Sequence, residues 1–364
     1  MSNEKAIIGF LGAGGIARSH VYSINSLRFY YNKPPAIETE AVCSATEKSR
    51  IEFAERFGFK HACQLHDFLN NKTINTVYIL GPNKVHYEHL KEVLKMNSVK
   101  RVYIEKPVCS SAEEEHAITE LAEKNRGVNI QVGFQYLFSP AIREALRFWL
   151  TGALGLPVHF DLKYYHGDYL KKEYRDKRTN RLTPAPDGGA MADLGSHAIS
   201  IALAFLGNKL HIKNAMQAGN FDDVTNDSDL FSQISLFDEA TRAAGTLSAS
   251  RISSGTGDTL SFEIYAEKGA IRYSTLTPDY YEYFTEEAGS WNKQYAGSTY
   301  KDITSFPSGH VPPGWLRAMV HAHYVFLTGS KQEVYIPDIQ HGLEVQRIVR
   351  ESALYLTEFR KRNL

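Results

Sequence analysis

Short apolar runs alternate with amphipathic stretches of helical period along the first third of the chain. This alternation is typical of a parallel sheet with helices packed on both faces. The predicted strands are Ala6–Leu11, Glu38–Ser44, Thr76–Leu80, Arg101–Glu105 and Val128–Phe134. The first predicted helix follows the first strand and ends near Tyr31. The other predicted helices are Lys48–Phe57, Val85–Met96 and Ser111–Asn125.

The pattern changes after about Ser139, where segments of alternating apolar and polar residues follow one another. Strands in succession without intervening helices imply an antiparallel sheet with one solvated face. The predicted strands are Val158–Tyr165, His211–Phe221, Leu230–Phe237, Thr241–Ser250, Thr259–Ala266 and Ala270–Thr275. The predicted helices are Pro140–Leu150, Ala190–Leu206 and Asp338–Arg360, with a polar, proline-bearing loop at Lys171–Asp187.

Length and composition narrow the class of protein. A chain of 364 residues favours two domains, and 43% hydrophobic with 23% charged residues is a soluble globular composition. The formal net charge is zero, which gives no basic field for nucleic acid or a membrane surface. The three cysteines form no CxxC pair and no metal-ligand spacing, so we expect no metal site. No signal peptide or membrane span is evident, which predicts a cytoplasmic protein.

A glycine-rich turn separates the first strand from the first helix. It reads Gly12-Ala13-Gly14-Gly15-Ile16-Ala17, which has the form G-x-G-x-x-A. In that context the first glycine permits the turn, the second lets the backbone approach a pyrophosphate, and the helix N-terminus supplies N–H donors. We therefore predict that residues 1–138 form a dinucleotide-binding Rossmann domain and that residues 139–364 form an α+β domain with a large, mainly antiparallel sheet.

The end of the second strand bears on the choice between NAD and NADP. NAD-selective sites usually place an acid there, to accept a hydrogen bond from the ribose 2′-hydroxyl. Here that position holds Ser44, followed by Thr46, Lys48 and Arg50. This set would tolerate a 2′-phosphate and favours NADP slightly over NAD. Alternatively, the two basic residues are only the solvated face of a helix.

Three later motifs, together with the glycine-rich turn, resemble the Gfo/Idh/MocA family of oxidoreductases, named in part for glucose–fructose oxidoreductase and inositol dehydrogenase. They are Gly81-Pro82-Asn83 after the third strand, Glu105-Lys106-Pro107 after the fourth, and the run from Gly188 to His197 that contains Asp193. The motifs occur in family order along nearly the whole chain. The resemblance implies a dehydrogenase that commonly assembles as a homo-oligomer.

The resemblance implies a catalytic set of Lys106, Asp193 and His197. Lys106 ends a predicted parallel strand, where open α/β sheets place their ligands. Asp193 and His197 are four residues apart on a predicted helix and so share one face, where a carboxylate would orient the imidazole. His197 is the first choice as proton acceptor and Lys106 the second. We expect Gly195 to leave room for a sugar ring, although an isolated Asp/His pair is usually a surface ion pair.

Other residues are assigned to the cofactor and the substrate. The resemblance places Pro82, Asn83 and Glu105 near the nicotinamide nucleoside, whereas His86 is either a cofactor contact or a buried structural histidine. For the substrate, we expect contacts from Lys106, Gln135, Tyr165, His166, Asp193, His197 and His310. Leu137 occupies a position where many family members carry arginine, which indicates a less polar pocket wall.

The expected activity is an NAD(P)-dependent oxidation of a ring secondary hydroxyl to a ketone. The substrate would be a sugar, a glycoside or an inositol, and the 12% aromatic content allows an aryl glycoside. One alternative is a redox-neutral glycosidase that holds NAD permanently and oxidises, eliminates and re-reduces. The other is a non-catalytic dinucleotide-binding regulator, which would have no need of a proton acceptor.

Overall fold

The structure is a computed structural model that describes residues 4–178, 182, 188–219, 221–224, 229–296, 299–300, 302–304, 306, 314–330 and 332–362. It divides into two compact units. The first contains the described residues up to Phe138, those between 300 and 311, and those of Trp315–Leu343. The second contains the described residues of Ser139–Thr299, Gly314 and residues 344–362.

A six-stranded parallel sheet forms the centre of the first unit, with strand order β3-β2-β1-β4-β5-β6. Its strands are β1 (Ala6–Leu11), β2 (Ile37–Cys43), β3 (His61–Cys63), β4 (Thr76–Ile79), β5 (Arg101–Ile104) and β6 (Asn129–Val132). Its helices are α1 (Gly15–Tyr30), α2 (Glu47–Phe57), α3 (Leu65–Leu69), α4 (His86–Val93), α5 (Ala112–Lys124) and the later α9 (Trp315–Thr328). The order reverses between β1 and β4, so this is the doubly wound topology that the sequence predicts.

Helix α9 returns late in the chain to close one face of this sheet. Its Val320 and Phe326 pack in the same buried cluster as Phe10 of β1 and Ile24 of α1. The central strands are buried on both faces, which explains why they read as continuous apolar runs rather than as alternating ones. A helix at this position is absent from the elements predicted from the sequence.

An eight-stranded sheet dominates the second unit, with strand order β14-β13-β12-β11-β7-β10-β9-β8. Its strands are β7 (Pro157–Tyr165), β8 (Leu210–Ala218), β9 (Phe231–Asp238), β10 (Ala244–Ser250), β11 (Thr259–Ala266), β12 (Gly269–Ser274), β13 (Tyr280–Thr285) and β14 (Ser290–Tyr295). The helices are α6 (Pro140–Trp149), α7 (Lys172–Asp176) and α8 (Ser196–Leu206), and α10 (Ile339–Arg362) begins in the first unit. All neighbouring strands are antiparallel except β7 and β10, which confirms a mainly antiparallel sheet.

Several elements differ from the prediction for local reasons. The strand predicted from Thr241 begins at Ala244, because the Asp238 carboxylate accepts from the Thr241 backbone N–H and closes a turn. The hairpin β13–β14 is absent from the prediction because burial does not alternate along it, although Tyr280–Thr285 is rich in strand-forming aromatic residues. None of the described helices is long and apolar enough to cross a membrane.

We expect Gly12→Ala to lower the free energy of unfolding by about 2 kcal/mol or more, because φ is +131° there and an added Cβ would lie 2.7 Å from the Leu80 carbonyl. Urea unfolding measures this change. Gly14→Ala is the matched control, since a Cβ at Gly14 meets nothing within 4 Å. Equal stability of the two variants would contradict the close approach at Gly12.

Candidate active site

The glycine-rich turn lies at the carboxyl edge of the parallel sheet, between β1 and α1. Gly12 donates its backbone N–H to the Cys43 carbonyl at 2.8 Å, which ties the turn to the end of β2. A Cβ at Gly14 or Gly15 would meet nothing within 4 Å, and the first turn of α1 contains no acidic residue. Gly14 and Gly15 are thus exposed at a helix N-terminus with free space beside their Cα atoms, which fits a pyrophosphate.

The end of β2 carries a small cluster of hydroxyl groups. Ser44 and Ser49 lie 2.5 Å apart between their Oγ atoms, and the Thr46 hydroxyl caps α2 by accepting from the Ser49 backbone N–H at 3.3 Å. The Lys48 side chain is largely exposed and lies 3.8 Å from Glu52. Lys48 is thus part of the solvated face of α2.

Arg50, rather than Lys48, lies close to the strand ends. Burial raises the pKa of the neighbouring Cys43 thiol and raises the pKa of the Cys63 thiol to about 11. The Arg50 guanidinium acts in the opposite direction and lowers both pKa values. Both cysteines are free, and thiols with a raised pKa are poor nucleophiles at neutral pH. The strand ends therefore present hydroxyl groups and one nearby guanidinium, without a carboxylate at Ser44.

His86 links the turns that follow β4 and β5. Its Nδ1 lies 2.6 Å from the Pro107 carbonyl oxygen, and its Nε2 lies 2.9 Å from the Gly81 carbonyl oxygen. Burial lowers the pKa of His86, while the two carbonyl groups act in the opposite direction. Both ring nitrogens are engaged by backbone, so the structure favours the buried structural histidine over a direct cofactor contact.

The turn after β5 places Glu105 and Lys106 next to each other at the sheet edge. The Glu105 backbone N–H donates to the Ile79 carbonyl at 3.0 Å, and its carboxylate lies against Gly133, where a Cβ would be 2.5 Å from Oε1. Gln135 follows in a buried 3₁₀ turn, and Leu137 in the same turn is also buried. In this unit the structure thus brings Glu105, Lys106 and Gln135 to neighbouring strand ends.

The helix with Asp193 and His197 is not a plain α-helix. It begins with a wider π-helical turn at Met191–Gly195, a form that often occurs at functional sites, and continues as α8. Asp193 Oδ2 accepts from Arg251 Nη2 at 2.8 Å, and the Arg251 side chain is completely buried. The guanidinium also lies over the Tyr169 ring, 4.8 Å from its centroid. Sequence reasoning missed Arg251, because no motif marks it.

Gly195 has a different role from the predicted one. A Cβ at this position would lie 2.4 Å from Met191 Sδ and 3.4 Å from Ala249 Cβ. The missing side chain therefore allows the helix to pack on β10 and does not provide space for a substrate ring. His197 is buried, and its ring centroid lies 6.0 Å from that of Tyr164.

Tyr165, a predicted substrate contact, lies on the opposite face of the sheet from the helix that carries His197. Successive residues of a strand point to opposite faces of the sheet. Tyr164 faces the helix with His197, whereas the Tyr165 hydroxyl lies 2.6 Å from Ser248 Oγ on the other face. Tyr164 is therefore the better candidate for a contact beside His197. The register of the sheet, which the sequence does not give, decides between the two.

His166 lies directly after β7 and is buried. Its Nδ1 accepts from the Asp168 backbone N–H at 3.3 Å, and burial lowers its pKa. It lines a cavity of about 320 Å³ with residues of the loops 167–171 and 254–258. His310, the other predicted substrate contact of this kind, lies outside the described residues. Within the described part of the chain, no group of His, Cys, Asp and Glu side chains could hold a metal ion.

Asp229 accepts hydrogen bonds at the start of the π-helical turn. Its Oδ2 accepts from the Met191 backbone N–H at 3.0 Å, and its backbone carbonyl accepts from Ala190 at 2.8 Å. Gly189 has φ +83°, and a Cβ there would lie 2.5 Å from Asp229 Oδ2. Burial raises the pKa of Asp229 from 3.8 to about 6, despite the opposing effect of these bonds and of Arg251.

The raised pKa of Asp229 predicts a pH-dependent stability. Between about pH 4 and pH 6 the folded state binds a proton that the unfolded state has released, so the free energy of unfolding falls as pH rises through this window. The decline should be roughly 3 kcal/mol at most. Asp229→Asn should abolish it while keeping an acceptor for Met191. Urea unfolding of both proteins across the window measures the difference, and parallel pH profiles would contradict the assignment.

Comparison with known proteins identifies the family. A model described as "Oxidoreductase family, NAD-binding Rossmann fold" matches residues 7–134, and the GFO/IDH/MocA C-terminal domain model matches residues 142–272. Levoglucosan dehydrogenase of Pseudarthrobacter phenanthrenivorans is 23% identical over 73% of each chain. The scyllo-inositol 2-dehydrogenase (NAD(+)) of Bacillus subtilis is 27% identical over 58% of each chain.

Solved structures agree in fold. Levoglucosan dehydrogenase in complex with NADH and levoglucosan superposes with a TM-score of 0.82 at 20% identity, covering 96% of this chain and 97% of that one. An inositol dehydrogenase homologue from Azotobacter vinelandii, complexed with NAD+, gives a TM-score of 0.81 at 17% identity over 98% of each chain. With family models matching both its domains, this chain belongs to the Gfo/Idh/MocA family and is an oxidoreductase.

Proposed function

We propose that this protein oxidises a ring secondary hydroxyl of a sugar, a glycoside or an inositol to a ketone, reversibly and with a nicotinamide dinucleotide. The main support is the helix N-terminus at Gly14 and Gly15, which is open and has no acidic residue in its first turn. It lies at the same edge of the sheet as Lys106. The names of the relatives support the substrate class, since they specify levoglucosan, inositols and glucose 6-phosphate. When bound, the dinucleotide would supply the hydride acceptor.

The chain's own groups would handle the proton and the substrate oxygen. We propose that His197 takes the hydroxyl proton and that the Lys106 ammonium donates a hydrogen bond to the same oxygen. Asp193, held by the buried Arg251, would favour the protonated imidazole that results. Gln135 and His166 would contact other hydroxyl groups, and Tyr164 would present an apolar ring face.

The cofactor site lacks the carboxylate that would repel a 2′-phosphate. We propose that both NAD and NADP are accepted, with a slight preference for NADP, because Arg50 lies near the end of β2 and Ser44 carries no charge. The NADH and NAD+ complexes of structural neighbours support NAD as the alternative preference.

We also propose a homo-oligomer that pairs through the face of the eight-stranded sheet opposite α8. That face carries polar side chains such as Asp161 and Thr246, together with the partly exposed Tyr265. Light scattering coupled to size-exclusion chromatography measures the mass, and a strictly monomeric protein would refute the proposal.

Gly14→Val should abolish dinucleotide binding measured by calorimetry while the fold persists, because its side chain would occupy the open space that fits the phosphates. Gly127→Val is the matched control, since a Cβ there also meets nothing within 4 Å and the residue precedes β6 at the opposite edge. Unchanged affinity in Gly14→Val would refute the binding of the pyrophosphate at this turn.

Ser44→Asp should shift the ratio of catalytic efficiencies toward NAD, because the new carboxylate repels a 2′-phosphate and accepts from a 2′-hydroxyl. The control is Asn97→Asp, which adds the same charge in the exposed turn before β5. If steady-state kinetics with both dinucleotides give the same ratio for all three proteins, Ser44 is not beside the ribose.

His197→Ala should lower the single-turnover rate of hydride transfer by about a hundredfold to ten-thousandfold, the usual contribution of a general base. Asp193→Asn should lose less, because the imidazole remains. Lys106→Ala should affect both turnover and substrate affinity. His211→Ala, on the exposed part of β8, is the control. A near-normal rate in His197→Ala with collapse only in Lys106→Ala would assign the base to Lys106.

A further inference from the structure

A row of buried side chains runs from Glu105 into the interior of the first unit. Glu105 Oε1 lies 2.9 Å from His20 Nε2 of α1, and His20 Nδ1 lies 2.9 Å from His323 Nε2 of α9. His323 Nδ1 lies 3.4 Å from the Tyr78 hydroxyl of β4, a long contact. The two histidines and Tyr78 are completely buried, and the Glu105 side chain is 9% exposed.

The protons carried by His323 and Tyr78 determine in which direction hydrogen bonds are donated along the row. Burial and the neighbouring His20 hold the pKa of His323 well below its ordinary value, so His323 is neutral and carries one N–H. Burial holds the pKa of Tyr78 well above 10, so its hydroxyl keeps a proton to donate. If Tyr78 donates to His323 Nδ1, then His323 donates from Nε2 to His20, and His20 donates from Nε2 to the carboxylate.

The opposite direction leaves a buried proton without an acceptor. In that case His323 Nδ1–H would donate to the Tyr78 oxygen, and within the described residues the Tyr78 hydroxyl has no acceptor other than His323. A buried donor without an acceptor costs about 1–3 kcal/mol. The direction toward Glu105 pairs every proton of the row, and such chains strengthen each of their bonds.

We propose that Tyr78, His323 and His20 form a one-way hydrogen-bond chain that holds the Glu105 carboxylate in a fixed position, and that the charge placed there favours the oxidised over the reduced dinucleotide. The inference rests on the proposed dinucleotide binding. Tyr78, His323 and His20 are positioning residues, because they act through Glu105.

The topology explains why Glu105 would act on the cofactor. In a doubly wound sheet the pyrophosphate lies at the first helix and the two nucleosides extend over the two halves of the sheet. The end of β2 belongs to one half, and Glu105 lies in the other, between β5 and Gly133 at the end of β6. The oxidised nicotinamide is positively charged and the reduced ring is neutral, so a carboxylate there stabilises only the oxidised form.

The chain itself is tested on dinucleotide-free protein by NMR of histidine side chains labelled with ¹⁵N, assigned with His20→Gln and His323→Phe. At neutral pH the proton on each of His20 and His323 should lie on Nε2. In His323→Phe the proton should stay on His20 Nε2, because the Glu105 carboxylate still accepts it, but the ¹⁵N shift of His20 Nδ1 should change, because Nδ1 loses the hydrogen bond from His323. A doubly protonated His20, or a proton on His323 Nδ1, would overturn the proposed direction.

The consequence is tested by calorimetric affinities for NAD+ and NADH. The ratio of the two dissociation constants should move roughly tenfold toward NADH in Glu105→Gln and severalfold in His323→Phe. Tyr78→Phe, a milder variant that preserves packing, should move it by about twofold. Tyr103→Phe is the matched control, because Tyr103 stacks on Tyr78 and, within the described chain, its buried hydroxyl has no hydrogen-bond partner.

The experiments distinguish a failure of dinucleotide binding from a failure of the role of Glu105. A wild-type protein that binds neither dinucleotide would refute the proposed cofactor together with the role of Glu105, while the NMR result would still decide the chain. Binding of both forms with the same ratio in wild type, Glu105→Gln and His323→Phe would refute the role of Glu105 alone. A shift in Tyr103→Phe equal to that in Tyr78→Phe would show that the effect is one of packing.

Discussion

The close approach of two backbone segments at Gly12 is the constraint on which the first unit depends. The turn after β1 passes so near the end of β4 that no side chain fits at Gly12, and the positive φ there also requires glycine. Because of this contact, the N-terminus of α1 and the turn at Gly81 lie at one edge of the sheet. His86 then joins the Gly81 turn to the turn of Lys106-Pro107. Three segments that are distant in sequence are thus held in one arrangement.

The groups of the candidate site depend on buried hydrogen-bonding partners. In the second unit Arg251, completely buried, holds the Asp193 carboxylate, while Asp229 holds the first N–H groups of the same helix. In the first unit His20 holds Glu105 directly before Lys106. Such partners cost desolvation energy and are retained where the orientation of a charge matters. This explains why polar groups occupy positions that a purely structural core would fill with apolar ones.

The sequence alone could predict the parts of the site that depend on local patterns. The glycine-rich turn, the strand ends at Asn83 and Lys106, and the helix of Asp193 and His197 are contiguous motifs with a recognisable period. Arg251, Asp229 and His323 could not be found in this way, since each reaches its partner across a large separation in the chain. The face on which Tyr164 and Tyr165 lie could not be found from the sequence for another reason, because only strand register defines it.

The central claim is that hydride passes from a ring carbon of a polyol to the nicotinamide. The most direct measurement follows deuterium from ring-deuterated inositols, levoglucosan and glucose into the dinucleotide by mass spectrometry, with absorbance of the reduced nicotinamide recorded in parallel. The account predicts reduced, deuterium-labelled dinucleotide in amounts that match the ketone formed from at least one of these substrates. Turnover with the label retained in the sugar product, and no net reduced dinucleotide, would contradict it and indicate redox-neutral chemistry.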